Sequence, residues 1–333
     1  MDQRLFTAHG NEPPAPKPLE SRAGFANAGL SYKRRNYEGV LVRLLSPLGD
    51  YPLGTVNHRD AAMVIQPDFS AIITTFKPVE EPEGYYSEID YLSPFEIRSL
   101  GSVLLSLRGD LNYLRLYPAP FAMETPYVGV DLSEPATVAK LMEEFAAFLR
   151  LTSFYGAELH RPPLLGGLSY SYDNGSRLEH DRQPKIFSCI DVSDHLLIRG
   201  LGALIRAIML DYFTEFLENA AMSLYVAMEA SLKIVKEMLC AEGSENPTAK
   251  DAGRFLDRIF GCEFEAEGYF EEYYEDRIKI IHPASDFGVF PGAAIGVDDV
   301  WFLRRSLIHL YDFLVTGNVK EEMKWKPNPA TSD

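Results

Sequence analysis

The chain of 333 residues has little cysteine and no long hydrophobic run, and both shortages limit what it can be. Its cysteines, Cys189, Cys240 and Cys262, contain no Cys-x-x-Cys pair, and their odd number argues against a disulfide framework. No stretch approaches about 18 consecutive apolar residues, so no membrane span is expected. The N-terminal sequence lacks the apolar core of a signal peptide. Together these absences predict a cytoplasmic protein with no membrane partner.

Positive charge is also scarce. The formal net charge is −16, and from residue 196 onward 14 Lys and Arg stand against 23 Asp and Glu. The part before residue 196 is acidic as well, so neither half has the basic surface that general nucleic-acid binding requires. This balance predicts no DNA partner and argues against non-specific RNA binding. A small local basic groove stays compatible with it.

Several common site motifs are absent. The sequence contains no GxxxxGK[ST] phosphate loop, no GxGxxG, no GxSxG elbow and no HExxH. Gly200-Leu201-Gly202 begins like a nucleotide-binding loop, but its continuation fails. The scattered histidines show no metal-ligand spacing and are interpreted as solvated or hydrogen-bonded residues. We therefore expect neither a metal nor a cofactor.

The first 195 residues have mixed α and β character after an irregular arm. Residues 1–36 include a Pro-rich run and are predicted to be that N-terminal arm. Residues 37–195 are predicted to form an α+β domain of unknown role. Short β-type runs, separated by Pro and Gly, lie at Gly39–Leu45, Ala61–Ile65, Ala71–Phe76, Tyr113–Tyr117 and Tyr127–Val130.

Two helices are predicted within the α+β domain. Ser93-Pro94-Phe95-Glu96 is a capping box with Pro at the first helical position, so a helix should run from Pro94 to about Leu107. The second should begin at Ser133-Glu134-Pro135 and end near Leu151. A loop rich in Pro, Gly, Ser and Asp is expected from Gly156 to about Arg182.

Residues 196–320 are predicted to form an all-α bundle, followed by a tail at 321–333. Residues 203–239 contain no Gly or Pro and have apolar side chains at helical spacing. This pattern predicts one very long helix or two helices broken in the middle. Further helices are expected from the N-cap Thr248 to Phe260, over 267–283, and from Val297 to Val315, before Gly317.

The helix at 267–283 contains an arginine in an unusual position. On a wheel of roughly 100° per residue, its aromatic residues and isoleucines form one face and its acids lie opposite. Arg277 falls near the middle of the apolar face, where an unpaired charge is costly to bury. His282 precedes Pro283, which disfavours the helical conformation there. His282 should therefore lie at the helix end, free to turn back towards Arg277, and the two residues form a candidate site.

The sequence Arg277-Ile278-Lys279-Ile280-Ile281-His282 resembles the Arg-(four to six residues)-His signature of the HEPN superfamily, the higher eukaryotes and prokaryotes nucleotide-binding domains. The motif lies in a late helix and is followed by Pro283, a loop with Gly and Pro, and a closing helix. This order is similar to that of the Apea-like HEPN subgroup. The resemblance covers roughly residues 200–318 and does not extend to 1–195.

The resemblance implies a metal-independent endoribonuclease that acts as a homodimer through the helical bundle. Both Arg277/His282 pairs would line one cleft, with RNA or a nucleotide as the ligand. The residue types suit this chemistry. Histidine accepts or donates protons near neutral pH, and an always-protonated arginine stabilises the charge that grows on the phosphorane.

Other interpretations are open at this point. Active members of the family often have Asn, Asp or His directly after the arginine, whereas this chain has Ile278. That departure favours a non-catalytic HEPN dimerisation or nucleotide-binding module, with ligand sensing by the N-terminal domain. Alternatively, Arg277 is a structural residue that pairs with an acid of the long helix, and His282 caps carbonyls. The candidate acids are Glu215, Glu218 and Glu229.

Overall fold

The computed structural model divides the chain into two compact units. It describes residues 38–47, 54–65, 70–76, 92–107, 116–151, 178–211, 214–261, 268–271 and 296–319. Unit 1 comprises Met1–Ser99 and Arg115–Leu178, and unit 2 comprises Leu100–Leu114 and Glu179–Asp333. The first helix, α1 (Pro94–Leu105), therefore contributes residues to both units.

Unit 1 contains a five-stranded antiparallel sheet. Its strands are β1 (Gly39–Pro47), β2 (Gly54–Asn57), β3 (Ala61–Ile65), β4 (Ser70–Phe76) and β5 (Leu116–Pro126). Their order in the sheet is β2-β3-β4-β1-β5, so β1 lies between β4 and β5. β3 and β4 are rich in apolar and β-branched residues and are buried at almost every position.

Three of the predicted β-runs are confirmed as β1, β3 and β4, and β3 has the predicted bounds. β2 was not predicted from the sequence. It has only four residues, begins with a glycine, and exposes its first two positions. Such a strand has too few apolar residues to show an alternating pattern, so only its pairing with β3 reveals it.

The sequence predicted two separate strands in the region of β5, and this prediction is wrong. The runs at Tyr113–Tyr117 and Tyr127–Val130 are not two strands: one strand spans Leu116–Pro126, and residues 127–130 follow it. Residues 113–115 lie outside the described part. Pro118 and Pro120 suggested a break, because proline cannot donate to a strand ladder. β5 is an edge strand beside β1, where proline nitrogens are tolerated.

Helix α2 (Pro135–Leu151) covers one face of the sheet and has its predicted bounds. A buried cluster joins alternate residues of β1 to one stripe of α2. It includes Val40, Val42, Leu44, Val138, Leu141 and Phe145. Alternation by two along the strand and spacing by three or four along the helix bring these side chains together.

A buried ion pair attaches the first turn of α1 to the opposite face of the sheet. Arg43 alternates with the α2-facing residues of β1, so its side chain points to the other side. Its Nε donates to Glu96 Oε1 at 2.6 Å, and both side chains are at most 3% exposed. Glu96 Oε2 also accepts from the Ser93 N–H at 2.7 Å. The predicted capping box at the start of α1 is thus confirmed, and the helix ends at Leu105, slightly earlier than predicted.

Every described element of unit 2 from residue 183 onward is helical. The elements are α3 (Gln183–Cys189), α4 (His195–Leu210), a 3-10 turn (Thr214–Phe216), α5 (Leu217–Ala241), α6 (Ala249–Phe260) and α7 (Val297–Thr316). The predicted sequence of an α+β part followed by a helical part is therefore confirmed at this level. α3 was not predicted, although Pro184 in its first turn is typical of a helix start.

The long apolar stretch after residue 203 is two helices, which was one of the two predicted alternatives. α4 ends at Leu210 and α5 begins at Leu217. No Gly or Pro marks the break. Asp211 caps α4 and forms a buried ion pair with Arg304 of α7, so a tertiary contact accompanies the end of the helix.

The ends of α6 and α7 follow the predicted local signals. Thr248 is the N-cap of α6 and forms a capping box with Asp251. Gly317 ends α7 with φ of 68°, a left-handed conformation that favours glycine. α7 continues to Thr316, one residue past the predicted end.

Candidate functional site

The predicted site residues Arg277 and His282 lie outside the described residues. The structure does describe the start of their segment, residues 268–271, and it is helical from Tyr269. Phe270 is buried, with 2% exposure, whereas Glu271 is exposed. These burials agree with the apolar and acidic faces that the sequence predicts for the beginning of this helix.

Contacts of Tyr269 connect the start of the segment to α7. Its hydroxyl lies 3.1 Å from Ser306 Oγ, and its ring meets the Phe270 ring edge-on at 5.0 Å. Burial raises the pKa of the Tyr311 phenol, and the neighbouring Tyr269 raises it further. The segment that leads to Arg277 therefore begins against the middle of α7.

Helix α7 itself is held closely against α4 and α5. Tyr311 is fully buried, and its hydroxyl donates to the Ala227 carbonyl of α5 at 2.7 Å. A Cβ added to Gly200 of α4 would lie 1.8 Å from the Tyr311 hydroxyl oxygen and 3.0 Å from Ala230 Cβ. Gly200 thus permits close packing of three helices. The Gly200-Leu201-Gly202 pattern lies inside α4 and is not a phosphate-binding loop.

A second arginine on an apolar helix face was missed by the sequence analysis. Arg304 of α7 pairs with Asp211, and their side chains are 6% and 7% exposed. Among the described residues, Asp211 Oδ1 has no hydrogen-bond partner. Arg304 lies one turn from the buried Val300 and Leu307. An arginine at helical spacing from apolar residues is the same sequence pattern that identified Arg277. The pair connects α7 to the end of α4, which gives it a structural role.

The acids considered as alternative partners for Arg277 lie at the surface of unit 2. Glu215, Glu218 and Glu229 are all exposed. A surface carboxylate contributes little to stability through an ion pair, because water screens the exposed charges. Pairing of Arg277 with the long helix stays a hypothesis, because Arg277 is outside the described residues.

A partly exposed polar cluster in unit 1 joins Tyr127, Lys140 and Glu144. The Tyr127 hydroxyl donates to Glu144 of α2, at 3.1 and 3.2 Å from its two oxygens. Lys140 lies 3.8 Å from Glu144 and above the Tyr127 ring. Burial, together with the Glu144 charge, raises the pKa of Tyr127 to about 12. The cluster attaches α2 to the chain after β5, and nothing in its geometry indicates a ligand.

Other reactive residues do not assemble into a site in the described segments. No group of three or more His, Cys, Asp or Glu there could hold a metal ion. Cys189 and Cys240 are exposed free thiols, and Cys262 lies outside these segments. None of the described helices combines the length and apolar character needed to cross a membrane.

Models of known protein families, curated proteins and solved structures were all compared with the chain, and none of them matches it. Assignment to the HEPN superfamily therefore depends on the sequence motif and on the order of the helices around it.

Proposed function

We propose that the helical part of the chain, roughly residues 200–318, is an HEPN-like domain and that the protein is a metal-independent endoribonuclease. The proposal rests on one observation. Arg277 and His282 have the family's spacing in a segment that begins after α6 and is followed by α7. The helical character of α4 to α7 supports the proposal. The contact of Tyr269 with Ser306 supports it as well, because it connects this segment to the closing helix.

The proposed reaction needs no cofactor. The 2′-hydroxyl oxygen of the RNA forms a bond with the adjacent phosphorus, and the bond from phosphorus to the 5′-oxygen breaks. One His282 accepts the 2′-hydroxyl proton, and the His282 of a second protomer donates a proton to the leaving oxygen. Arg277 stabilises the negative charge of the phosphorane with its planar guanidinium. A cleft shared by two copies supplies both proton-transfer groups.

Two observations favour a second candidate, a non-catalytic dimerisation or nucleotide-binding module. Ile278 follows Arg277 where active relatives often have a polar residue, and the chain has a net charge of −16, which repels RNA in general. In that case the same fold would hold two copies together while the N-terminal unit senses a ligand. The two candidates differ in one measurable property, which is cleavage of RNA.

The test combines cleavage of a labelled RNA with thermal melting for His282→Ala and Arg277→Ala. His282→Ala should lower the cleavage rate by about 10²-fold or more, the usual effect of removing a general acid or base. Its melting temperature should change little, because the residue is expected at a helix end. Arg277→Ala is expected to lower both the rate and the melting temperature, since the sequence predicts Arg277 on the apolar face of its helix.

His180→Ala is the matched control, because His180 is exposed and lies outside the motif. It should keep full activity and stability. Unchanged cleavage by His282→Ala, or unfolding of that variant, would overturn the catalytic role of the motif. A folded wild-type protein that cleaves no RNA would favour the non-catalytic module.

A further inference from the structure

Helix α4 reaches the surface of unit 2 through only two side chains of its middle part. From Leu197 to Met209 every residue is buried except Arg199 and Arg206. The helix contains no acidic residue between His195 and Leu210. A helix that is apolar on almost all sides belongs to the interior of a bundle. The two arginines are therefore the exposed part of an otherwise interior helix.

Arg199 and Arg206 lie on the same side of α4. Seven residues correspond to almost two turns, so their directions differ by only about 20°. Their positions are about 10 Å apart along the axis, at 1.5 Å per residue. The residues between them on this side, Gly202 and Ala203, are small and buried. Two exposed guanidinium groups thus lie at the ends of a short strip of helix whose other residues are buried.

Neither arginine has an acidic partner among the residues that the structure describes. In the described part of the chain, no ion pair or hydrogen bond involves the side chain of Arg199 or Arg206. The chain has 48 Asp and Glu against 32 Lys and Arg, so acidic partners are plentiful. On α6, for comparison, the exposed Arg258 pairs with Glu242 at 2.9 Å. The strip on α4 therefore carries two exposed positive charges on an acidic protein.

We infer that Arg199 and Arg206 bind two phosphate groups of a single-stranded RNA. This inference rests on the proposed ribonuclease function and names a surface that holds the backbone of its substrate. The guanidinium group matches phosphate oxygens in shape and donates two parallel hydrogen bonds to them. A single strand is the fitting form of RNA, because its flexible backbone can bring two phosphates to the two arginines and can align the 2′-hydroxyl for attack.

The surroundings of the strip favour RNA over a membrane surface. Helices that lie on membranes combine basic residues with an exposed apolar face. The apolar residues of α4 from Leu197 to Met209 are all buried, so the helix has no such face to insert. A small basic strip also agrees with the acidic net charge, because it binds a strand locally without attracting nucleic acid to the whole surface.

The test measures binding of the full-length protein to a short fluorescent RNA whose 2′-oxygens are methylated, so that it cannot be cleaved. The double variant Arg199→Gln/Arg206→Gln should bind about tenfold more weakly for each arginine lost, the usual effect of removing a charged hydrogen bond. Each phosphate contact to a single strand contributes about 0.7 to the slope of log K against log salt. The slope should therefore be less steep by about 1.4 in the variant.

Arg254→Gln/Arg258→Gln on α6 is the matched control, because it removes the same formal charge from exposed positions. It should bind with nearly the wild-type dissociation constant and salt slope. Equal losses in both double variants, no change in the α4 variant, or no binding by the wild-type protein would each overturn the inference. The inference would also be overturned if binding to vesicles with anionic lipids depended on the α4 arginines while binding to RNA did not.

Binding and cleavage separate the inference from the proposed function. If the wild-type protein binds RNA through α4 but does not cleave unmethylated RNA, the ribonuclease proposal fails and the binding surface stands. If the wild-type protein cleaves RNA and the α4 variant binds and cleaves equally well, the binding surface fails and the ribonuclease proposal stands.

Discussion

The guanidinium of Arg182 contacts both carboxylate oxygens of Asp312, at 2.5 and 2.7 Å, although the two residues are 130 positions apart. Its Nη1 also donates to the Leu105 carbonyl at 2.8 Å. Arg182 precedes α3, Leu105 ends α1, and Asp312 belongs to α7. One side chain therefore joins the start of α3 to the end of α1 and to α7.

Asp312→Asn is expected to destabilise the protein strongly. Asp312 is 5% and Arg182 23% exposed, so loss of the carboxylate leaves a largely buried cation with only the more distant Glu179 carboxylate, at 3.7 Å, and the Leu105 carbonyl. Breaking a buried pair in this way costs about 3–5 kcal/mol, and the partial exposure of Arg182 favours the lower end. Denaturant unfolding measures the change. Glu242→Gln is the control, because its exposed pair with Arg258 should contribute about 1 kcal/mol or less. Equal stability of the two variants would contradict the role of Arg182.

Gly200→Ala is expected to destabilise unit 2 by about 1–3 kcal/mol or more, because its methyl group would collide with the Tyr311 hydroxyl. Tyr311→Phe removes that hydroxyl, so it should restore part of the loss when combined with Gly200→Ala. Gly101→Ala in α1 is the matched control, since its methyl group would meet only ordinary contacts at 3.6 Å. The control should be neutral or stabilising by up to about 1 kcal/mol, as alanine favours helix. Thermal melting of the wild-type protein, Gly200→Ala, Gly200→Ala/Tyr311→Phe and Gly101→Ala tests this. An unchanged melting temperature of Gly200→Ala would contradict the close packing of Gly200 against Tyr311.

The pKa of Asp251 should lie below its usual value of 3.8, because the Thr248 hydroxyl and N–H both donate to its carboxylate. A lowered pKa in the folded state means that the capping contact stabilises α6 above the unfolded pKa. That contribution is lost as the pH falls through the folded value. Titration by carbon-13 NMR should show the pKa rising in Thr248→Ala and staying low in Thr248→Ser, which keeps the hydroxyl. A pKa unchanged by Thr248→Ala would refute this cause.

RNA cleavage by the wild-type protein is expected to proceed in EDTA and to leave a 2′,3′-cyclic phosphate or a 3′-phosphate. The reason is that the proposed nucleophile is the substrate's own 2′-hydroxyl, with His282 for proton transfer and Arg277 for charge. Mass spectrometry of the fragments identifies these ends. An RNA methylated at the 2′-oxygen should stay intact. Cleavage that requires added Mg²⁺, or that leaves a 5′-phosphate, would indicate a different site.

Local sequence signals determined where several helices begin and end. The capping box of Ser93 and Glu96, the N-cap Thr248 and the glycine stop at Gly317 all use partners within a few residues. Such contacts form inside a single turn of chain, so the residue types and their spacing are sufficient to predict them. The motif of Arg277 and His282 is likewise visible in the sequence, as an arginine in an apolar stripe before a Pro-terminated helix end.

Contacts between distant residues are the part that only the tertiary structure decided. The apolar spacing continues across the break between α4 and α5, so the sequence does not mark its position. In the structure the break coincides with the pairing of Asp211 and Arg304. The single strand β5 tolerates its prolines because it lies at a sheet edge. The close approach at Gly200 and the exposure of Arg199 and Arg206 depend on which helices surround α4. The sequence determines which residues are apolar or charged, whereas the packing of the helices determines which of them remain exposed at the surface.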